Sequence, residues 1–516
     1  NVISVTNSAG HVDYAAVYDS MGRATSVTDA AGSTTSRVYD SVGNMTSETN
    51  ALSQTVTYSY DGAGKMVSAV DKAGKTSYST YDGMGNLTSV TGPLGSNITY
   101  LFNTSGQLSK KSAANGNTVY MYNALGLMDS VRDATLALTS YSYDAAGRVT
   151  SFTNNDGTTS YTYDANGNVL TASDSSGTIT REYDALNRVT KYTDTYGNVI
   201  EYEYDVCGNL AKMVYPTGEE GVYTYDANHN MTQSSVTDDS GTKTVTYEYN
   251  YRNQVKKAVN VDGSVVTKSY DSAGRLQVVN DRTKTGQYIS VFIYMYDALG
   301  RITSEMNPIS GRQYNMTYDV LGRVTARTEV NSGNGEVINE ESFTYDDAGN
   351  IAPDDEDIVY EYNSDNTLKR ILQKYEKDGE IKYRRLVRSA YDVRGNVTAI
   401  KTKNGYYQNV TYDAKNRLKK AEGDYSEYWY DADDNRIDMY DHSTNMKYTY
   451  DCAGGRSRLV WTSSHLYEVT TYAYGAEGLI WSRTDGSYQV YHYDYRGSVI
   501  AVTDIDGNIT DTITYT

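Results

Sequence analysis

The 516-residue chain contains very little proline, cysteine, phenylalanine or tryptophan, with four, two, four and three residues respectively. Its two cysteines, Cys207 and Cys452, support neither a disulfide scaffold nor a cysteine zinc site. No apolar run approaches the ~20 residues that a membrane-spanning helix needs. The first residues show neither the basic nor the apolar segment of a signal peptide. The sequence is therefore not expected to span a membrane or to carry a visible export signal.

Aliphatic residues and positive charge are also scarce. The formal net charge of −19 argues against nucleic-acid binding by the chain as a whole, because an acidic surface repels phosphate. Hydrophobic residues make up 39% of the chain, but 54 of them are tyrosines. Without tyrosine the share falls to about 28%, well below the roughly half that globular domains use. The composition predicts that a large, dry aliphatic core is missing.

What the chain has instead is a Tyr-Asp-x-x-Gly motif that recurs mostly every 20 or 21 residues, in 23 copies when degenerate ones are included. Repeats at this spacing indicate a repeat architecture, in which each copy is one structural unit. The repeat tyrosines assigned a structural role are Tyr18, Tyr39, Tyr60, Tyr81, Tyr143, Tyr163, Tyr183, Tyr204, Tyr225, Tyr270, Tyr296, Tyr318, Tyr412 and Tyr493. The turn residues assigned with them are Asp19, Gly22, Asp40, Gly43, Asp144, Gly147, Asp494 and Gly497.

Each motif is predicted to be the turn of a β-hairpin. The flanking segments alternate with a period of two, as in Tyr141-Ser-Tyr143, which is typical of strands. Aspartate favours the first position of a type I turn, and glycine follows where φ must be positive, giving a hairpin with a G1 bulge. A weaker turn such as Asp29 to Gly32 falls between the motifs. Each repeat therefore consists of two strands and two turns.

The exceptions to the motif point to a backbone requirement and give no support to catalysis. Six copies lack glycine at the fifth position, and all six have asparagine, aspartate or histidine, which tolerate left-handed backbone best. They are Asn187, His229, Asn253, Asn366, Asn416 and Asp434. The aspartate position is similarly relaxed, with asparagine at 103, 123, 250 and 363 and glycine at 475.

Twenty-three such repeats predict about 46 strands, far more than the ~10 that an open twisted sheet holds without curling or splitting. A propeller would need about eleven four-stranded blades, more than the usual eight. Stacked sandwiches would need an aliphatic interior. A sheet wound around a wet interior needs neither, since tyrosines of adjacent repeats can stack on one face with hydrated hydroxyls. Disorder is disfavoured by the regular register.

The motif and its spacing resemble the RHS/YD-repeat family, which includes bacterial Rhs and wall-associated toxins, the C component of Tc toxins and animal teneurins. Residues 491–510, from Tyr491-His-Tyr-Asp-Tyr-Arg-Gly onward, resemble the start of the RHS-associated core. The resemblance implies an all-β fold in which YD-repeat hairpins form one long spiralling antiparallel sheet around a hollow cocoon. It implies a repeat shell over 1–490 and a truncated RHS-associated core over 491–516.

The same resemblance implies a non-catalytic shell that houses a C-terminal toxin polypeptide of the same chain. Such a protein is secreted or held at the bacterial surface, and this sequence is expected to be an internal piece of it. A secretion or delivery component, or a surface glycan, is the other class of partner. The alternative is an adhesin or carbohydrate-binding protein, because exposed tyrosine rows suit stacking on sugars.

No catalytic, metal or cofactor site is predicted. The five histidines, at 11, 229, 442, 465 and 492, show no metal spacing, and His229 and His492 are interpreted as structural. Asp431-Ala-Asp433-Asp434-Asn435 and Asp504-Ile-Asp506-Gly507-Asn508 resemble calcium loops but lack the completing glutamate. An acidic and basic stretch over 352–388, which includes Asp354, predicts an enlarged hairpin or a solvated strand face; a docking patch for an acidic partner is the alternative.

Overall fold

The computed structural model describes residues 2–6, 12–352, 355–363, 365–377, 379–405, 407–423, 425–452, 457–464 and 468–513. Over these ranges the chain forms 49 β-strands and no helix, close to the 46 strands that the repeat count predicts. No helix in the described ranges is long and apolar enough to cross a membrane. His11, His465 and Asp354, which the sequence analysis considered, and the last three residues lie outside the described residues.

The strands are short, and most have five to seven residues. The first 25 are β1 Ser4–Thr6, β2 Val12–Tyr18, β3 Ala24–Asp29, β4 Thr34–Tyr39, β5 Met45–Thr49, β6 Thr55–Tyr60, β7 Met66–Val70, β8 Thr76–Tyr81, β9 Leu87–Thr91, β10 Asn97–Phe102, β11 Leu108–Ala113, β12 Gly116–Tyr122, β13 Met128–Arg132, β14 Leu138–Tyr143, β15 Val149–Asn154, β16 Gly157–Tyr163, β17 Val169–Asp174, β18 Gly177–Tyr183, β19 Val189–Thr193, β20 Val199–Tyr204, β21 Leu210–Val214, β22 Glu220–Tyr225, β23 Met231–Asp238, β24 Gly241–Tyr249 and β25 Val255–Val259.

The remaining strands follow the same rhythm apart from a few very short or very long members. They are β26 Val265–Tyr270, β27 Leu276–Arg282, β28 Tyr288–Tyr296, β29 Ile302–Asn307, β30 Arg312–Tyr318, β31 Val324–Asn331, β32 Val337–Ser342, β33 Thr344–Tyr345, β34 Ile351–Ala352, β35 Ile358–Tyr362, β36 Leu368–Lys377, β37 Glu380–Tyr391, β38 Val397–Thr402, β39 Tyr407–Tyr412, β40 Leu418–Ala421, β41 Ser426–Tyr430, β42 Arg436–Tyr440, β43 Asn445–Asp451, β44 Arg458–Ser464, β45 Val469–Gly475, β46 Gly478–Thr484, β47 Ser487–Tyr493, β48 Val499–Thr503 and β49 Ile509–Thr512.

Strands that are neighbours in sequence pair antiparallel, and the ladder is irregular at the motif tyrosine. In the β4–β5 hairpin, Val38 lies opposite Ser47 whereas Tyr39 lies opposite Met45, so one residue of β5 is passed over. The same shift occurs at the motif tyrosines that end β6 and β14. A shift of this kind is a β-bulge, which bends and twists the strand that carries it. The bulged hairpin predicted from the motif is confirmed.

The chain divides into two compact units, each made of segments that are distant in sequence. Unit 1 comprises Asn1–Val119, Lys268–Asn280 and Ser290–Gly395, and unit 2 comprises Tyr120–Thr267, Asp281–Ile289 and Asn396–Thr516. In unit 2, β13 to β25 form one unbroken antiparallel ladder. Thirteen strands exceed the usual limit of an open sheet, so curvature is expected. The boundary predicted at 490/491 stays a prediction.

Within unit 2 the chain returns onto itself at intervals of about 240 to 255 residues at most of the contacts. The hydroxyl of Ser176 donates to the Tyr430 carbonyl at 2.8 Å, and that of Ser234 donates to the Tyr474 carbonyl at 3.1 Å. These contacts join residues 254 and 240 positions apart, and both ends advance along the chain together. In unit 1, Ser272 reaches the Ala30 carbonyl across 242 positions. In each unit, then, a later layer of strands follows an earlier layer in the same direction, as a spiralling sheet requires.

The apolar residues that are buried together lie where these two layers of unit 2 face each other. The cluster has 19 buried members, five of them tyrosines, and it includes Trp481, Ile179 and Ala473. Tyr192 and Tyr215 are 1% and 2% exposed. The composition predicted that a large, dry aliphatic core is missing. The structure shows a smaller buried apolar cluster, rich in tyrosine, between the two layers.

The acidic and basic stretch that interrupts the repeat contains the longest strands among the described residues. β36 has 10 residues and β37 has 12, and they pair from Arg370 opposite Arg388 to Lys377 opposite Glu380. The enlarged hairpin predicted for this stretch is confirmed.

Candidate functional site: the repeat turn and a buried histidine cluster

The motif aspartate organises its turn by accepting backbone hydrogen bonds. Asp19 Oδ1 accepts the N–H groups of Met21 and Arg23, both at 2.9 Å, and the Gly22 N–H donates to the Asp19 carbonyl at 3.0 Å. The turns at Asp40, Asp144 and Asp494 repeat this pattern. The Arg23 backbone N–H, which stabilises the charged form, is the main reason why the pKa of Asp19 lies below 3.8.

The backbone at the fifth motif position has positive φ at all four turn glycines that the sequence analysis named. Gly22, Gly43, Gly147 and Gly497 have φ of 79°, 109°, 80° and 81°. The six residues that replace glycine also have positive φ, between 59° and 69°. The prediction that asparagine, aspartate and histidine meet a left-handed backbone requirement is confirmed. They are Asn187, His229, Asn253, Asn366, Asn416 and Asp434.

The side chains of these six residues also have a role that the sequence analysis missed. Each contacts the residue at the sixth motif position of the preceding repeat. Asn168 Nδ2 donates to Asn187 Oδ1 at 2.8 Å, and Asn230 Nδ2 donates to Asn253 Oδ1 at 3.0 Å. His229, Asn366, Asn416 and Asp434 are bonded in the same way to Asn209, Asn350, Asn396 and Arg417. In the sequence, each of these contacts corresponds to a polar residue at the fifth motif position that follows a polar residue at the sixth motif position of the preceding repeat.

Replacing Asn187 by alanine is expected to destabilise its hairpin by about 1–2 kcal/mol, because alanine strains the left-handed conformation and removes the bridge to Asn168. Glycine at the same position loses only the bridge and is expected to cost less than about 1 kcal/mol. Hydrogen exchange of the peptides in β18 and β19 measures both changes. Equal effects of the two substitutions would contradict the role assigned to φ.

Every motif tyrosine assigned from the sequence is the last residue of its strand, including Tyr270 and Tyr493. The tyrosine hydroxyls were expected to stay hydrated, but most of them donate hydrogen bonds to backbone carbonyl groups. Tyr143 donates to the Met128 carbonyl at 2.7 Å, a bond to the strand that follows the preceding turn. A half-buried carbonyl gains more from a fixed donor than from mobile water. The same bond is made by Tyr18, Tyr39, Tyr60, Tyr81, Tyr163, Tyr183, Tyr204, Tyr225, Tyr296, Tyr318 and Tyr412.

Where the sixth motif position is one of seven arginines, its side chain joins that repeat to the next. Arg148 Nε donates to Asp144 Oδ2 at 2.6 Å, and one of its terminal nitrogens donates to the Asp164 carbonyl at 3.0 Å. Its guanidinium lies 4.7 Å from the ring centroid of Tyr163. A tyrosine ladder was predicted; the contact that recurs is a guanidinium over the ring, worth about 0.5–1 kcal/mol when exposed. Arg23, Arg188, Arg275, Arg301, Arg323 and Arg417 contact the next motif tyrosine similarly.

The aspartate turns are expected to weaken in acid. The pKa of Asp40 is lowered mainly by the hydrogen bond from the Asn44 side chain. A lowered pKa contributes stability that is present above the ordinary value of 3.8 and is lost as the pH falls through the folded value. Asn103 makes the same turn without a titratable group, since its Oδ1 accepts from Ser105 and Gln107.

Hydrogen exchange below pH 3.8 tests this difference, with rates corrected for their intrinsic pH dependence. Protection in the β4–β5 hairpin, which turns at Asp40, is expected to fall more steeply than protection in the β10–β11 hairpin, which turns at Asn103. Parallel losses in the two hairpins would show that the aspartates do not set the acid limit.

A second cluster of polar side chains lies buried between the layers of unit 2. His492 Nδ1 is 2.7 Å from Asp281 Oδ2, and His492 Nε2 is 3.1 Å from Thr503 Oγ1. The Thr503 hydroxyl donates to Asp262 Oδ2 at 2.7 Å, and Ser264 donates to the other oxygen of Asp262 at 2.6 Å. All five residues are at most 2% exposed. The chain of hydrogen bonds links β47 and β48 to β27 and to the turn before β26.

The charges of this cluster favour the protonated form of the histidine. Burial alone would lower the pKa of His492, but the hydrogen bond and charge of Asp281, with the charge of Asp262, raise it above 6.5. Burial also raises the pKa of Asp281 above 3.8. Because no member of the cluster is open to solvent, a substrate could not reach it, and the geometry is that of a structural clasp. This agrees with the structural interpretation of His492.

The sequences that resemble calcium loops adopt the ordinary repeat turn. Asp504 Oδ1 accepts the N–H groups of Asp506 and Asn508, and Asp431 Oδ1 accepts those of Asp433 and Asn435. Burial raises the pKa of Asp431 to about 6. Within the described part of the chain, no group of three histidine, cysteine or acidic side chains is arranged to hold a metal ion. The two cysteines are not joined in a disulfide.

Comparison with known proteins gives two family matches. A Teneurin YD-shell model matches residues 2–135 and 121–213, and an RHS Repeat model matches residues 296–337. Among curated proteins, the tRNA3(Ser)-specific nuclease WapA of Bacillus spizizenii is 27% identical over 218 residues. That alignment covers 41% of this chain and 8% of the nuclease, so the chain corresponds to a small part of that protein.

Solved Tc toxin structures share the fold over almost the whole chain. The Photorhabdus luminescens Tc holotoxin pore with the mutation TccC3-D651A has a TM-score of 0.76 at 14% identity, covering 98% of this chain and 30% of that one. The crystal structure of TcdB2-TccC3 without the hypervariable C-terminal region has a TM-score of 0.75 at 15% identity, with the same coverage. The chain spans about a third of each. Residues 2–213 and 296–337 of this chain therefore match repeat models of the RHS/YD-repeat family, whose motif recurs here in 23 copies when degenerate ones are included.

Proposed function

We propose that this chain is the wall of a shell that encloses a toxin polypeptide belonging to the same, longer protein. The observation that carries the proposal is that later strands return onto earlier ones at similar intervals, 240 to 255 residues at most of the contacts in unit 2. Such an interval is about 12 repeats, or 24 strands, and at ~4.8 Å per strand it is ~115 Å long. A wall of that length that returns onto itself leaves an interior.

The comparisons support the proposal at the level of fold. The matched structures are of Tc toxins, and the curated relative carries the name of a nuclease. The wall itself acts without catalysis, through exclusion of proteases and solvent from its contents. The complete protein is exported from, or displayed on, a bacterial cell, and the enclosed polypeptide is its principal partner. The division into a repeat shell over 1–490 and the start of an RHS-associated core over 491–516 is part of this proposal.

The adhesin alternative has less support, because the motif tyrosines are mostly half-buried and many lie under a guanidinium. A glycan array with the 516-residue chain tests it. Binding that is lost when exposed tyrosines such as Tyr78, which is 56% exposed, are changed to alanine would favour the adhesin.

Small-angle scattering tests the shell directly. A hollow wall is expected to give a pair-distance distribution skewed toward long distances, whereas a compact domain of the same length gives a nearly symmetrical one. In the full-length protein, the polypeptide that follows the repeats is expected to resist a protease that digests it when it is expressed alone. A nearly symmetrical distribution, together with an equally digestible polypeptide, would overturn the proposed function.

A further inference from the structure

A cavity of about 350 Å³ lies within unit 2, between an earlier layer that includes β20 to β23 and a later layer that includes β43 to β45. Four of its ten lining residues are tyrosines: Tyr204, Tyr223 and Tyr225 come from the earlier layer and Tyr474 from the later one. Its volume is in the range of ~300–1,000 Å³ that is typical of sites for small organic groups.

The hydroxyl groups of two of these tyrosines are already used. Tyr204 donates to the Val189 carbonyl at 2.9 Å, and Tyr225 donates to the Leu210 carbonyl at 3.0 Å. What these side chains offer to the cavity is therefore ring surface. Met213 and Met231 complete the apolar wall, and their thioethers make favourable contacts with aromatic groups.

Two charged groups of opposite sign also line the cavity. Asp451 is 8% exposed, and its Oδ1 accepts a hydrogen bond from the Tyr202 hydroxyl at 3.0 Å. The guanidinium of Arg458 lies 5.7 Å from the ring centroid of Tyr474. Together they add no net charge, but they supply one acceptor and one set of donors at an otherwise apolar site.

These features distinguish among the ligands that tyrosine-lined sites accept. A saccharide would bring several hydroxyl groups into a cavity in which at least two of the four tyrosine hydroxyls are committed, and an unpaired buried hydroxyl is costly. An organic cation would be attracted by the rings and Asp451 but repelled by Arg458. An aromatic side chain of a peptide fits best, since its ring contacts tyrosine and methionine while its peptide N–H and C=O meet the carboxylate and the guanidinium.

We infer that this cavity binds an aromatic side chain of the enclosed polypeptide and so holds that polypeptide against the wall. This inference rests on the proposed function for the identity of the partner. The chemistry of the cavity can nevertheless be tested without the partner, because the 516-residue chain can be offered a small aromatic amide alone.

Saturation-transfer NMR with N-acetyl-L-tryptophanamide is the experiment, with N-acetyl-L-alaninamide, methyl glucoside and tetramethylammonium as comparison probes. The aromatic amide is expected to bind and the other three are not. Tyr474→Ala is expected to weaken binding about tenfold, which corresponds to about 1.4 kcal/mol. Met231→Trp, which fills the cavity and keeps the backbone carbonyl at that position, is expected to abolish it. Tyr163→Ala, at a motif tyrosine outside the cavity, is the matched control and should bind like the unchanged chain.

Two results would overturn the inference. One is preferential binding of the glucoside or of tetramethylammonium, and the other is aromatic binding that Tyr474→Ala and Met231→Trp leave unchanged. Circular dichroism of each variant establishes that the strands are retained. If the aromatic amide does not bind but the polypeptide in the full-length protein is protected from protease, the cavity inference fails and the shell proposal stands. If the aromatic amide binds but the polypeptide is not protected from protease, the shell proposal fails. The cavity is then an aromatic site, but its proposed partner is wrong.

Discussion

Replacing His492 by alanine is expected to reduce the stability of the strands around it by about 3–5 kcal/mol, the usual result of removing one partner from a buried charged pair. The substitution leaves the carboxylate of Asp281, which is 2% exposed, without its 2.7 Å partner. It also leaves the Thr503 hydroxyl without its bond to Nε2. The measurement is hydrogen exchange of the peptides from β27, β47 and β48, because local opening is resolved there even if the whole chain does not unfold in one step.

His442 provides the matched control for this substitution. It is exposed and stacks on Tyr425 at 5.1 Å, so alanine there is expected to change stability by no more than about 0.5 kcal/mol. A His492 variant whose β47 and β48 amides open no more easily than those of the control would show that the buried cluster is not a clasp.

The same cluster predicts a pH dependence with a definite sign. The pKa of His492 is raised above 6.5, so its contribution is complete below pH 6.5 and is lost as the pH rises through the folded value. Burial raises the pKa of Asp281 above 3.8, so its own contribution is present below pH 3.8 and is lost as the pH rises through the folded value. Protection of β47 and β48 is expected to decline above pH 6.5 in the unchanged chain. With glutamine at position 492 this decline should be absent; a similar decline would contradict the assignment.

Alanine in place of Gly475 is the second substitution expected to have a large effect, costing about 1–3 kcal/mol or more through overpacking. A Cβ atom on Gly475 would overlap the hydroxyl of Tyr247 and lie 2.7 Å from Ile480 Cδ1. Tyr247 and Ile480 both belong to the buried cluster between the layers, so neither can move away freely. Denaturant unfolding, followed by the fluorescence of Trp481 in that cluster, measures the loss.

Gly62 and Gly83 are matched controls, because neither has positive φ and a Cβ at either would meet nothing within 4 Å. Alanine at these positions is expected to be neutral or to stabilise by about 0.4–1 kcal/mol through the unfolded state. Combining Gly475→Ala with Tyr247→Phe removes the overlapping hydroxyl and should recover part of the loss. If Gly475→Ala behaves like Gly62→Ala, the close approach between the layers is not as described.

Gly475 illustrates how far the repeat pattern can be interpreted. In the sequence, Gly475 stands where the motif normally has aspartate, as Asn103 and Asn250 do. Those two asparagines do reproduce the turn, since their Oδ1 atoms accept the same backbone N–H groups as aspartate. Gly475 has a different reason, the close approach of Tyr247 from a strand that precedes it by 228 residues. A motif alignment cannot separate these two cases, because both are substitutions at the same position.

The sequence by itself determined the local structure of this protein. The period of about 21 residues, the aspartate that begins each turn and the residues that accept positive φ specify hairpins, because the interactions that form a turn lie within six neighbouring residues. Asn187 and His229 were assigned correctly on these grounds. The sequence likewise excluded a membrane-spanning helix and pointed to the repeat family.

The tertiary structure alone decided how the layers meet. His492 and Asp281 are 211 positions apart, and the wall of the tyrosine-lined cavity comes from strands separated by more than 200 residues. Which residues face each other at such distances depends on the curvature accumulated over about a dozen hairpins, because each β-bulge adds to the bend and twist of the sheet. The sequence of a single repeat does not determine this accumulated curvature. The residues that form the clasp and the cavity therefore could not be paired from the sequence, because only the folded sheet brings them together.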